Sequence, residues 1–228
     1  MKNILTASLL AAGALASQAA SADTIHIVWQ GIDASANKLS TMDTTLSSTV
    51  PVTSNYATTA LNYTNVATGA SFEAYCIEPS EGNGRAGRDR VYSVDSFAGT
   101  QAHNLQGLFS SSYASLSSYD DKAAFQLAVW ELVRESGTSF DVTAGSFHVV
   151  ADGATSAAVS TLANSFLAQA LSYQGPAHYT LTKLTNDGLQ DLITATPLAA
   201  AVPEPGTYAM FLAGLGVIGL LAGRRLPR

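Results

Sequence analysis

The sequence predicts an α+β fold: an antiparallel β-sandwich or barrel-like sheet with packed helices. Three observations predict it. Stretches such as Thr24 to Trp29 and Ser71 to Ile77 alternate with period two and are rich in β-branched and aromatic residues. A run from Lys122 to Glu135 is apolar on most of its helical circumference. A second run, Thr155 to Leu171, places Val159, Leu162, Phe166 and Leu171 at helical spacing.

The elements follow in order. Ile25 and Ile27 alternate with His26 and Val28 in the first strand. Ala34 to Thr53 is Ser/Thr-rich and weakly patterned, reading as loop with short strands. Tyr56 to Val66 and Ser71 to Ile77 read as a hairpin turning at Thr68-Gly69. Within its second strand Phe72, Ala74 and Cys76 share one face, and Glu73, Tyr75 and Ile77 the other. Pro79 lacks an amide proton and ends it. Glu81 to Arg90 is a polar, glycine-rich loop with three arginines, Arg85, Arg88 and Arg90. Val91 to Phe97 reads as a strand, Ala102 to Phe109 as a short helix, and Ser110 to Ser118 as a polar link. Ser118 or Asp120 then caps the helix that runs to about Glu135, with Gly137 as its stop. Phe140 to Val150 suggests a hairpin. Tyr179 to Leu184 and Leu189 to Ala195 are the closing strands. No internal repeat is present.

Both ends read as targeting segments. Lys2 and the apolar run from Ile4 to Ala16 precede Ala20-Ser21-Ala22, a small-x-small cleavage pattern, so residues 1–22 read as a signal peptide. Residues 23–198 then form the exported domain and 199–202 a linker. Four of the 11 basic residues and one of the 17 acidic residues lie in the terminal segments, leaving the stretch between them near −9. That charge excludes a nucleic-acid partner, which needs a basic surface to displace counterions. It also argues against an anionic membrane surface as a partner of the domain. One cysteine and four scattered histidines offer no metal-ligand spacing, and no cofactor is implied.

At the C-terminus, Pro203-Glu204-Pro205 precedes an apolar stretch from Tyr208 to Ala222 and a basic stop, Arg224, Arg225 and Arg228. The stretch is expected to insert as a short transmembrane helix, with the arginines cytoplasmic by the positive-inside rule. This arrangement resembles the PEP-CTERM sorting signal. The resemblance implies a transient inner-membrane anchor processed by an exosortase-type enzyme in a Gram-negative cell that makes exopolysaccharide. The mature chain would then reside at the cell surface or in the extracellular (biofilm) matrix.

Cys76 is the only cysteine, so the exported domain has no internal disulfide. An exported lone thiol is either buried and inert or chemically engaged. Gln126 sits among apolar residues on the Lys122–Glu135 helix, and a buried carboxamide must find partners. Tyr75-Cys76-Ile77 and Phe125-Gln126-Leu127-Ala128-Val129-Trp130 together resemble the bacterial thioester domains of surface adhesins. In that family a strand-ending Cys condenses with a helical Gln. The resemblance implies a Cys76–Gln126 internal thioester, shielded by Phe72, Phe125, Val129 and Trp130, that reacts once with an amine on a surface or exopolysaccharide partner. Such a domain is an adhesin and not an enzyme that turns over. His103 and His148 are the candidate bases; Glu78 reads as a solvated loop carboxylate. The other reading is a non-covalent structural or carbohydrate-binding matrix component in which Cys76 is inert.

Overall fold

The computed structural model describes residues 23–46, 53–135, 137–151, 153–199, 210–215 and 218. The signal-peptide stretch 1–22, the motif Pro203-Glu204-Pro205 and the basic stop Arg224, Arg225 and Arg228 lie outside them, as does most of the linker.

Among the described residues up to 199, nine strands and three α-helices run in the order β1 (Thr24–Gly31), β2 (Lys38–Asp43), β3 (Thr53–Ala57), β4 (Leu61–Asn65), β5 (Ser71–Cys76), β6 (Asp89–Asp95), α1 (Gly99–Ser112), α2 (Tyr119–Arg134), β7 (Phe147–Val149), α3 (Ala154–Ser172), β8 (Tyr179–Thr185) and β9 (Leu192–Pro197). A short 3-10 turn, Tyr113–Ser115, joins α1 to α2. Six strands close an antiparallel barrel in the order β1-β4-β5-β9-β8-β6, and β3-β2-β7 form a separate small sheet. All three helices and β7 are inserted between the barrel strands β6 and β8. The expected α+β architecture is therefore present in its barrel-like form.

The alternation read along β5 follows from its register. Cys76 pairs with Leu192, which pairs in turn with Leu184, a buried row inside the barrel. Tyr75 and Ile193 point the other way. The Tyr75 ring packs among Phe109, Tyr113 and Phe125, at centroid distances of 6.4, 6.2 and 4.8 Å, so the helices cover this outer face. Both faces of the strand's end are thus apolar and buried.

Three local expectations differ from the structure. The stretch 56–66 is two strands, because the chain crosses from the small sheet to the barrel between Ala57 and Leu61. Phe140 to Val150 forms no hairpin. Only Phe147–Val149 is extended, and it pairs with β2, while Asp141 and Glu135 gather the preceding loop through backbone amides. Ser110 to Ser112 continue α1 instead of linking out of it. Ser110 is buried there, accepting the His178 amide at 3.2 Å, and Ser112 is buried too. Small hydroxyls let helices approach closely, and hydropathy alone reads them as loop.

Helix packing is tight where the sequence is smallest. A Cβ on Gly107 of α1 would meet the Ala170 carbonyl of α3. Gly107→Ala should therefore lower stability by about 1–3 kcal/mol, seen as a fall in the thermal midpoint.

Helix α2 holds the two sheets together. Its Ser118 cap and Asp121 form a reciprocal capping box. At its other end Arg134 pairs with fully buried Asp43 of β2 at 2.7 Å. Glu131, 0 % exposed, accepts the Asp141 amide at 2.8 Å through Oε1, and its Oε2 has no partner. Burial pushes this carboxyl up to about 8; the Asp141 amide opposes the shift, and the Glu135 and Asp141 carboxylates reinforce it. The folded state thus keeps a proton that an unfolded chain, with an ordinary value of 4.5, releases. Stability from this group is complete below about pH 4.5 and is lost as pH rises to about 8. Glu131→Gln should flatten that component of a denaturation-versus-pH profile and stabilise the fold at the alkaline end.

Candidate functional site

Strand β4 stops short of its neighbour, and the site exists because of it. The last β5 residue paired to β4 is Ala74, opposite Leu61. On the other edge, the Ile77 amide donates to Asp191 at 2.9 Å, flanking the Cys76–Leu192 pair. Antiparallel geometry then turns the N–H and C=O of Cys76 itself toward the side where β4 has ended. The Gln126 side chain fills that place. The Cys76 N–H donates to Gln126 Oε1 at 2.9 Å, and Gln126 Nε2 donates to the Cys76 carbonyl at 2.8 Å. A side-chain amide here does what the missing strand residue would do.

The helix is aligned for this contact along one face. Lys122, one turn before Gln126, pairs with Glu73 of β5 at 2.6 Å. Trp130, one turn after it, is 1 % exposed and meets the Phe147 ring of β7 at 6.0 Å. Cys76 is 3 % exposed and Gln126 1 %. Two loops close this end of the barrel. Asn83 accepts from the Tyr63 hydroxyl at 3.0 Å, the Gln190 amide donates to Gly82 at 3.1 Å, and Gln190 Nε2 donates to Glu81 at 3.1 Å. The loop read from sequence as a solvated basic segment is therefore also a cover, although its arginines are exposed.

Burial pushes the Cys76 thiol far above the ordinary cysteine range. The Trp130 indole N–H and the Glu78 amide are near enough to oppose that shift; the Glu78 and Asp191 carboxylates add to it. Trp130 Nε1 nonetheless closes no hydrogen bond of ordinary geometry. The Cys76 N–H polarises the very carbonyl that a sulfur nucleophile would attack, as a donor in an oxyanion hole does.

The other expected residues sit as follows. Phe125, fully buried, belongs to the aromatic cluster behind Tyr75, with Phe109 at 4.9 Å. Val129 is fully buried on α2. Phe72 is partly buried and stacks on Tyr63 at 5.8 Å, further along β5. His103 is exposed on α1, beside Tyr173 and Gln174. His148, on β7, has its Nδ1 3.2 Å from the Gly145 carbonyl. Neither histidine shares a hydrogen bond or ring contact with the pair among the described residues. The acids that the sulfur does feel are Glu78, read as a solvated loop carboxylate, and Asp191, which no pattern singled out. The register that brings Asp191 beside Ile77 is a long-range pairing, and only the β5–β9 contact reveals it. Among the described residues no group of acids, histidines and cysteine could hold a metal ion.

The PEP-CTERM protein-sorting motif matches residues 201–226, which marks the chain for export and for processing by an exosortase-type enzyme at the surface. No curated protein matches the sequence. Among solved structures, the chain is similar to the N-terminal domain of the Streptococcus pyogenes pilus tip adhesin Cpa, at 14 % identity and TM-score 0.45, covering 75 % of this chain and 99 % of that one. It is also similar to the N-terminal thioester domain of a Clostridium perfringens surface protein, at 13 % identity and TM-score 0.41, covering 61 % of this chain and 89 % of that one. For the Bacillus anthracis TIE protein the figures are 10 % identity and TM-score 0.39, covering 80 % of this chain and 34 % of that one. Residues 210–215 of the tail are helical, and among the described residues no helix is long and apolar enough to cross a membrane.

The amide-for-strand substitution has an energetic consequence. Gln126→Leu keeps the volume but strands a buried N–H and C=O on Cys76. Each such group costs about 1–3 kcal/mol, so chemical denaturation should show a loss of about 2–4 kcal/mol, less if water enters.

Proposed function

We propose that the exported domain is a single-use covalent adhesin carrying an internal thioester between Cys76 and Gln126. The observation that carries this reading is the two-point bonding of the Gln126 carboxamide to the Cys76 backbone, in a pocket closed to solvent. The sulfur attacks the side-chain carbonyl carbon, the C–S bond forms and the C–N bond breaks. The thiol proton leaves with the nitrogen as ammonia. An amine on a partner then attacks the same carbon. The new C–N bond forms, the C–S bond breaks, and the sulfur takes up a proton from the attacking nitrogen. The pocket's dryness preserves the thioester from water until then. The link is made once, so the domain does not turn over. Partners are amine-bearing molecules of a cell surface or exopolysaccharide matrix. The tail is a transient inner-membrane anchor of the precursor in a Gram-negative, biofilm-forming cell.

One observation favours a second reading: a thiol buried this deeply is a poor nucleophile. In that case Cys76 is inert and the domain is a non-covalent structural or carbohydrate-binding matrix component. Intact-mass measurement separates the two. The adhesin reading expects a mature chain lighter than its sequence by one ammonia, a methylamine adduct at Gln126, and loss of both in Cys76→Ala. A full-mass chain that takes no methylamine and keeps its polysaccharide retention in Cys76→Ala belongs to the second reading.

A further inference from the structure

Among the described residues, Trp130 Nε1 and Gln190 Oε1 are buried without hydrogen-bond partners near the Cys76 end of the barrel. An indole N–H is a donor only, and a buried donor left unpaired costs about 1–3 kcal/mol. Such a cost is retained where the group acts later in a reaction. Trp130 lies one helical turn beyond Gln126, so both side chains project from the same face of α2. Gln126 is pinned to the Cys76 backbone, and that pin fixes where the indole falls.

We propose that the Trp130 indole N–H is held in reserve as a hydrogen-bond donor for negative charge on the Cys76 sulfur, and that it speeds both the making and the breaking of the thioester. This inference rests on the thioester reading above. In the neutral thiol or thioester the sulfur is a weak acceptor, and the N–H stays unsatisfied. When an amine attacks Gln126 and the C–S bond breaks, the sulfur leaves as a thiolate. Its charge is then within reach of two donors, the Trp130 indole and the Glu78 amide. The same donors help the thiol shed its proton as it attacks the carboxamide. They are needed because everything else facing the sulfur disfavours an anion. The Glu78 carboxylate follows β5, the Asp191 carboxylate precedes β9, and the Tyr92 hydroxyl of β6 lies near. Trp130 is thus more than part of the pocket's apolar wall.

The test uses the secreted chain with Trp130→Phe, and beside it a chain in which a benzothiophene analogue replaces the indole at residue 130. The analogue keeps the fused ring and removes only the N–H. A charge-assisted hydrogen bond supports an expected slowing of methylamine incorporation at Gln126 by about 10- to 100-fold, in the analogue chain at least, with a thermal midpoint that is not lowered, since the unpaired donor is gone. Equal rates in the native and analogue chains would overturn the proposal. If the native chain has its full sequence mass, the thioester reading itself has failed, and the free thiol still decides the matter. Its rate of alkylation by iodoacetamide at mildly alkaline pH tracks the thiolate fraction. That rate should fall by about tenfold without the N–H; an unchanged rate refutes the donor role.

Discussion

The fold turns on a side chain standing in for a strand. Where β4 ends, the backbone of Cys76 would be left with a buried donor and a buried acceptor. The Gln126 carboxamide satisfies both at once. No other uncharged side chain than Gln or Asn offers a donor and an acceptor in amide geometry, and Asn is one methylene shorter. The helix is therefore committed to one position against the barrel. Its cap, its Lys122 pair and its Arg134 pair are then arranged around that fixed point. On the proposed reading the reactive pair and the structural joint are the same two residues. A substitution at Gln126 must change stability and chemistry together, which is why Cys76→Ala, with its backbone intact, is the cleaner chemical probe.

The interior around this joint mixes complete and incomplete hydrogen bonding. Asp43 shows the complete kind. Burial would raise its carboxyl, but Thr45 and Arg134 bond it and hold it below the usual value. Glu131, three residues before Arg134, is the incomplete kind, with one oxygen bonded and one bare. The two acids lie at the same end of α2, yet one is stable as an anion and the other as an acid. Both are fully buried; the difference is that Asp43 receives donors from Thr45 and the charged Arg134, whereas Glu131 receives one amide and faces the Glu135 and Asp141 carboxylates. The sulfur of Cys76 belongs with Glu131, because its surroundings withhold charge stabilisation except from the indole and one amide.

Much of this was legible in the sequence where the pattern is local. The alternation in β5 correctly divides Cys76 from Tyr75, because a strand with two different apolar coverings still obeys period two. The α2 helix was legible from its cap and its run of apolar residues, and Gln126 from being a carboxamide within that run. What the sequence concealed was non-local. The stretch Tyr56 to Val66 changes sheets without any Gly or Pro to mark it. Ser110 and Ser112 look like a linker but are buried in α1, where Ser110 accepts from Gln106 and the His178 amide and Ser112 shares a hydrogen bond with Ser111. Asp191 approaches the sulfur only through the β5–β9 register, which no single-strand pattern encodes.

The barrel also fixes which way the site faces. β5 runs toward Cys76, and β9 is antiparallel to it, so β9 begins beside Cys76 and ends at Pro197 near the start of β5. The chain continues from Pro197 toward the sorting motif at residues 201–226. The tail is therefore attached at the barrel end remote from Cys76, roughly 15–20 Å away along a six-residue strand. The two ends differ in kind. The remote mouth opens into a cavity of about 320 Å³ lined from all six barrel strands, including Ile25, Asn65, Phe72, Val94, Thr182 and Thr194. The Cys76 end is sealed by the loops that Asn83 and Gln190 bind down. The chain thus leaves the barrel beside its open mouth, and the sealed Cys76 end lies opposite. On the proposed reading, a partner that reaches the Gln126 carbon must first displace a cover secured by neutral hydrogen bonds.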